Sequence, residues 1–322
     1  MAQAGEDGLL AEIFPELPRG RHTLVGPGDD AAVVAAPDAR VVVTTDVLVA
    51  GRHFRLDWST GRDVGRRAAA ANLADVAAMG ARPTAVVVAL VVPGDLPIDW
   101  VRDLARGLSE ACAPHDVGVV GGDLSGGDTA TVAVTALGDL DGHDPVLRSG
   151  ARPGDRLIHA GVLGHSAAGL ALLAAGLAEH DEPERELVRA FLDPQPPVGA
   201  GEVAARAGVT AMMDVSDGLL RDAGRLAGAS GVVLDIDGLL LAPDRDRLAR
   251  TGDRLGVDPQ QWVLTGGEDH GLLATLPADS AVPAPFRVIG AVTGADSTNV
   301  PGTILVDGEV YPGTTGWDHF GG

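Results

Sequence analysis

The stretch "TAMMDVSDGLL", residues 210–220, sets the reading of the whole chain. Residues 211–215 have the apolar character of a core strand, and a helix is expected to start from 217. A strand that passes directly into a helix is the repeating step of an α/β protein. Two carboxylates, Asp214 and Asp217, stand at that step, where the chain should be entering a core. Burying them costs free energy unless a cation or several donors compensate. What compensates them is the question the rest of the sequence has to answer.

Outward from this stretch the same alternation repeats. "AAVVAA" and "VVVTTD" read as strands separated by the turn "PDAR", "TAVVVALVV" as a buried strand, and "VGVV" and "TATVAVTALG" as two more. Residues 62–79 are Ala-rich and free of proline, and read as a helix stopped by Gly80. "IDWVRDLARGLSEACA" reads as an amphipathic helix with Trp100, Leu104 and Leu108 on one stripe. Residues 5–14 look like a short helix. The turn formers of "RSGARPGD", residues 148–155, mark a break. After it come the strand "RLIHAG", a helix in "GHSAAGLALLAAGLA" and the proline-rich connector "DPQPPVG". A helix near 200–207, the strand "AMMDV", a helix from 217, the strand "VVLDI" and strands near 270 and 286 complete the pattern. Two α/β domains are expected, residues 1–148 and 149–322.

Composition narrows the chemistry. A formal charge of −21 disfavours nucleic acid and anionic membranes as partners. All 24 basic side chains are arginine, so every mechanism that needs a lysine is excluded. Phosphates, if handled, must meet backbone amides, arginine or metal ions. The single cysteine, Cys112, excludes an intramolecular disulfide and a Cys-rich metal site. The acidic N-terminus is not read as a signal peptide, and no apolar run reaches the length that spans a bilayer. A cytoplasmic enzyme or binding protein is the expectation.

Asp214 and Asp217 have company. "GPGDDAAVV" puts Asp29 and Asp30 in a glycine turn before a strand, and "VVVTTDVL" puts Asp46 at a strand end after Thr44 and Thr45. "ANLADVAAMG" places Asn72 and Asp75 three apart, hence on one helix face. "VVGGDLSGGD" puts Asp123 after a buried strand and two glycines, Gly121 and Gly122, and "LTGGEDHG" repeats the pattern with Glu268 and Asp269. Each alone has a plain reading as a turn residue or helix cap. Five such motifs together suit Mg²⁺, which binds through a few carboxylates and substrate phosphates. Bare glycine backbone lets a phosphate approach, and Arg148, in a glycine-rich turn, offers a fork for a second one.

The set "GDDAAVV", "TTDVLVAGRHF", "NLADVAAMGARP", "VVGGD", "LRSGARPGD", "DVSDGL", "LTGGED" and "GWDHF" closely resembles the thiamine-monophosphate kinase family, in the superfamily of aminoimidazole ribonucleotide synthetase. The motifs run in the family's order over nearly the whole chain. The resemblance implies an N-terminal α/β domain with a ferredoxin-like sheet, which binds ATP and metal and dimerises, and a C-terminal α/β sandwich. It implies a homodimer that transfers the γ-phosphoryl of ATP, with several Mg²⁺ ions, to thiamine monophosphate, giving thiamine diphosphate. The implied metal ligands are Asp30, Thr44, Thr45, Asp46, Asp75, Asp123, Asp214 and Asp217. Gly121, Gly122, Asp123, Arg148, Ser216 and His115 are implied at the nucleotide, and His53, Glu268 and Trp317 at the substrate. The implied catalytic set is Asp46, Asp75, Asp123, Arg148 and Asp217.

Two positions depart from the family's pattern. After "GGED" the family commonly has a tyrosine and then an acidic or similar residue, where this chain has His270 and Gly271. A tyrosine near the nucleotide falls at His115. Three other readings stay open: a related ATP-dependent enzyme with another acceptor, a non-catalytic nucleotide or cation binder, and a metal-dependent phosphatase.

Overall fold

Glycine spacing decides how closely the first half of the chain packs. The structure, a computed structural model, describes residues 13–26, 32–177, 181–313 and 315–317. It forms two compact units, Met1–Val76 with Ala81–Gly142, and Ala77–Gly80 with His143–Gly322. In chain order the first stretch supplies β1 (Thr23–Val25), β2 (Val33–Val34), β3 (Val42–Val49), α1 (Gly61–Ala78), β4 (Arg82–Val92), α2 (Ile98–Cys112), β5 (Gly118–Gly126) and β6 (Thr131–Asp139). The expected helix over 5–14 lies almost wholly outside the described residues, which begin there with a 3₁₀ turn, Phe14–Glu16.

Four of these strands form a sheet in the order β3-β6-β4-β5, with β4 and β5 parallel and the other pairs antiparallel. Val86, Val88, Leu90 and Val92 of β4 are buried. Val76 of α1 lies against Gly138 on that face, and Leu104 and Leu108 of α2 border the same space as Val88 and Leu90. The opposite face leaves Val43, Val47 and Val87 exposed. Strand β5 does not stop before the glycines, as the sequence suggested, but continues through Gly121, Gly122 and Asp123 to Gly126. Cys112 is buried, and burial pushes its thiol up to about 12, so it is no nucleophile at neutral pH.

The second stretch supplies β7 (Arg156–Ala160), α3 (His165–Ala174), α4 (Glu182–Leu192), α5 (Ala200–Arg206), β8 (Ala211–Val215), α6 (Leu219–Ser230) and β9 (Val233–Ile236). It ends with α7 (Ala242–Leu255), α8 (Pro259–Thr265), β10 (Gly271–Leu276), β11 (Arg287–Thr293), β12 (Ile304–Val306) and β13 (Glu309–Val310). Its strands order as β13-β12-β9-β11-β7-β10-β8. Every residue of β8 and β10 is buried, so these strands read as apolar runs without alternation. The α/β architecture expected from the sequence is present in both units.

Helices α1 and α2 meet backbone to backbone. A Cβ at Gly65 would overlap the Leu104 carbonyl oxygen, and one at Gly107 would overlap the Arg62 carbonyl. Gly→Ala in a free helix stabilises by about 1 kcal/mol; here the sign should reverse. Gly65→Ala is expected to lower stability by about 1–3 kcal/mol, read as a lower urea midpoint. A raised midpoint would show that the two helices do not touch.

Candidate active site

Strand β8 delivers Asp214 into the core, 4% exposed, and the chain then leaves the sheet through Val215, Ser216 and Asp217 before entering α6. Three backbone hydrogen bonds gather remote segments onto this turn. The Glu268 N–H donates to the Ser216 carbonyl at 2.8 Å, the His270 N–H to Val215 at 3.1 Å, and the Trp317 N–H to Asp217 at 2.9 Å. Glu268 and His270 hold φ of +72° and +53°, a left-handed conformation that costs non-glycine residues about 1 kcal/mol or more each. A Cβ at Gly316 would overlap the Asp217 carbonyl, so only glycine lets the tail seat Trp317 there. Trp317 keeps 60% of its surface exposed beside the turn. Ser216, Asp217, Glu268 and Trp317, expected from three separate motifs, therefore share one locus.

The carboxylates are held by cations. Arg225 Nη2 lies 2.7 Å from Asp217 Oδ2, its Nη1 donates to Asp222 Oδ1 at 2.6 Å, and Arg221 Nε lies 3.8 Å from Asp217 Oδ2. The Asp217 N–H donates to Asp222 Oδ2 at 2.9 Å. Burial pushes the Asp222 carboxyl up to about 6. His270 Nδ1 is 3.5 Å from Asp214 Oδ2 and its Nε2 is 3.8 Å from Glu268 Oε2, contacts that are ion pairs rather than hydrogen bonds. Burial alone would lower its pKa, but the two carboxylates outweigh it and push His270 up to about 10. Asp269 accepts from the N–H groups of Gly164 at 2.5 Å and Ser166 at 2.7 Å, capping α3. Asp214, Asp217, Asp222, Glu268 and Asp269 thus face Arg221, Arg225 and His270, and the locus is net negative at neutral pH.

Gly271 has a packing reason. A side chain at 271 would collide with the imidazole of His159, which is fully buried and held neutral, its pKa lowered by burial to about 3.

In the first unit the expected residues divide between the sheet's two edges. Thr44 Oγ1 donates to Asp75 Oδ2 at 2.6 Å, and Asp46 shares the Thr44 face of β3. Thr45 points the other way: its hydroxyl donates to the Val134 carbonyl at 2.9 Å and does not join Thr44, Asp46 and Asp75. His53 Nδ1 accepts from the Val49 N–H at 3.0 Å, which fixes the turn after β3. Asp123 pairs in register with Ala89, in turn with Ala133 and Val47, so it lies on the opposite face from Asp46. Strands β3 and β5 are the two edges, roughly 14 Å apart across three strand spacings.

A Cβ at Gly122 would overlap the Val88 carbonyl, so that glycine serves the β4–β5 pairing, whereas Gly121 has open space. A cavity of about 710 Å³, walled by Phe14, Leu17, Leu104, Leu108 and Gly121–Asp123, opens beside them. His115 ends the turn after α2, half-buried, and burial lowers its pKa. Asp30 lies outside the described residues. Among the described residues no three Asp, Glu, His or Cys side chains form a metal-binding group.

Arg148 is exposed, and its carbonyl accepts from Ser230 Oγ at 2.9 Å. Ser230 closes the 12-residue helix α6, whose other end adjoins Asp217, so the backbone of Arg148 sits roughly 18 Å from that turn. Arg221, Arg225 and Asp222 were not singled out from the sequence. The available signal was arginine four and eight residues after Asp217, one face of a helix.

Models of AIR synthase related proteins match the N-terminal domain over residues 28–140 and the C-terminal domain over residues 152–301. The chain is 50% identical over 313 residues to thiamine-monophosphate kinase of Mycobacterium tuberculosis, covering 96% of this chain and 91% of that one. It is 34% identical over 333 residues to the Escherichia coli K12 enzyme of the same name, covering 98% of each. The solved structure of AaThiL complexed with AMPPCP and TMP superposes with a TM-score of 0.80 at 32% identity, covering 99% of this chain and 98% of that one. Thiamine monophosphate kinase from Aquifex aeolicus gives a TM-score of 0.78 at 31% identity, with 97% and 99% covered. The chain belongs to the thiamine-monophosphate kinase family of AIR synthase related proteins.

Burial pushes Asp269 up to about 6, above the carboxylate reference of 3.8, against the pull of its two N–H donors. Such a group stabilises the fold fully below about pH 4, and that contribution is lost as pH rises through 6. Asp269→Asn lacks this dependence. The stability difference between wild type and variant should therefore move in the variant's favour by about 2–3 kcal/mol from pH 4 to pH 7, as urea unfolding would measure. A pH-independent difference would contradict the assignment.

Proposed function

We propose that this protein transfers the γ-phosphoryl group of ATP to thiamine monophosphate, giving thiamine diphosphate. One observation carries the reading: Ser216, Asp217, Glu268 and Trp317 converge on a single turn. Its strongest support outside the chain is the similarity to a kinase solved with AMPPCP and TMP. Glu268 suits the positive thiazolium ring of the substrate, and the exposed Trp317 offers a face for stacking. The cavity beside Gly121, Gly122 and Asp123 is apolar on most of its wall and suits a nucleotide base; His115, outside that wall, is proposed at the nucleotide from the resemblance alone. Arg148 would supply a guanidinium fork to a phosphate, and His53 a substrate contact.

The residues fit Mg²⁺. Mg²⁺ needs only one or two carboxylates when substrate phosphates and water fill the remaining positions. The Thr44–Asp75 pair with Asp46, and separately Asp214 and Asp217, offer hard oxygen donors of that kind. Asp30, Thr45 and Asp123 complete the proposed ligand set. When bound, Mg²⁺ neutralises the charge of two polyanionic substrates. The acceptor is a phosphate oxygen with a second pKa near 6, ionised at neutral pH, so no general base is required. What remains for the protein is in-line positioning and charge stabilisation.

The reading includes a homodimer. Val43, Val47 and Val87 leave an apolar face of the sheet exposed, which supports a second copy docking there. On this reading residues 1–148 bind ATP and metal and dimerise, and residues 149–322 form the second domain of a cytoplasmic enzyme. No described helix is long and apolar enough to cross a membrane.

The test is an assay with ATP, Mg²⁺ and thiamine monophosphate, following thiamine diphosphate by chromatography. Product should form, vanish with EDTA, and fall by about 100-fold in Asp75→Asn. Folded protein that leaves thiamine monophosphate unchanged would sink the reading. Phosphate released without ATP would replace it with a phosphatase.

A further inference from the structure

Arg225 is placed like a charge that has to be moved. Its guanidinium bridges two carboxylates, with Nη1 on Asp222 at 2.6 Å and Nη2 on Asp217 at 2.7 Å. The two partners differ. Asp222 has a side chain with no exposure and is further tied by the Asp217 N–H, so it is a fixed anchor. Asp217 is buried, is joined by the Trp317 N–H at its carbonyl, and is a proposed metal ligand. Arg225 keeps 38% of its side chain exposed, so the guanidinium is not sealed in the core.

We infer that Arg225 is a resident counter-ion for Asp217 that a divalent cation displaces, leaving the guanidinium anchored on Asp222 with its Nη2 edge presented to a phosphate oxygen. This rests on the reading of Asp217 as a metal ligand. The physical reason is competition. A guanidinium at 2.7 Å from Asp217 Oδ2 and a Mg²⁺ on the same carboxylate repel each other and compete for its charge. In a chain without lysine, the freed arginine is the kind of fork that binds phosphate in two places. Arg221, 3.8 Å from the same Asp217 oxygen and one turn earlier on α6, keeps part of the charge in place during the exchange. Arg225 is thus a positioning residue before the cation binds and a phosphate contact afterwards.

The prediction has a direction that a structural role would not produce. Arg225→Met removes the competitor, so Mn²⁺, titrated into the full-length protein without nucleotide and read as loss of the free-ion EPR signal, should bind roughly fivefold more tightly. At saturating Mg²⁺ the same variant should show a lower kcat. Arg225→Lys keeps a charge but loses the fork; it should fall between wild type and Arg225→Met in Mn²⁺ affinity, and it carries the test alone if Arg225→Met does not fold. Asp217→Asn should abolish the responding class of sites. Unchanged or weaker Mn²⁺ binding in the arginine variants would overturn the exchange while leaving the metal site standing. Wild-type binding unaffected by Asp217→Asn would remove the metal site, and the exchange with it.

Discussion

The second unit is organised by one constraint: Asp214 and Asp217 are buried at the end of a core strand and must be compensated there. A carboxylate in such a place is tolerated only with a cation or several donors in contact. Arg225 and Arg221 supply this for Asp217, and His270, its pKa pushed up to about 10, for Asp214. The strained backbone of Glu268 and His270 persists because hydrogen bonds to Ser216 and Val215 over-determine it. Strain of this kind, beside exposed Trp317 and half-exposed Glu268, is what a preorganised binding turn requires.

An acidic, lysine-free protein that handles two polyanions faces a repulsion problem, and the locus shows how it is met. The carboxylates are not simply exposed acids. They are matched with arginine and imidazolium charges, Arg221 and Arg225 on Asp217 and His270 on Asp214.

Much of this was legible in the sequence. The strands of the second unit were visible because β8 and β10 are buried on both faces and therefore uninterrupted apolar runs. Helix α7 escaped because "APDRDRLARTGDRL" buries only four residues and is otherwise charged. Helix α4 escaped beside the proline-rich connector, its apolar stripe limited to Leu187, Val188 and Phe191 around a buried Glu184. Among site residues, Asp214, Asp217 and Glu268 stood out because carboxylates interrupt apolar runs. Thr44 and Thr45 read alike in sequence, but adjacent residues on a strand face opposite ways, and the Thr45 hydroxyl bonds Val134. Gly122 has a packing requirement that the sequence did not show, the close approach of Val88. Arg221 and Arg225 were invisible because nothing in an Arg-rich chain distinguishes two surface arginines from two that hold a buried acid.

The central claim is that the end of β8 is a divalent-cation and phosphate site. It is tested most directly by crystals grown with Mn²⁺ and a non-hydrolysable ATP analogue, using anomalous scattering to locate the metal. The account predicts an anomalous peak about 2.0–2.2 Å from an Asp214 or Asp217 carboxylate oxygen, with a phosphate oxygen in the same coordination shell. Bound nucleotide with no peak at either aspartate, and the Arg225–Asp217 contact still closed, would contradict it.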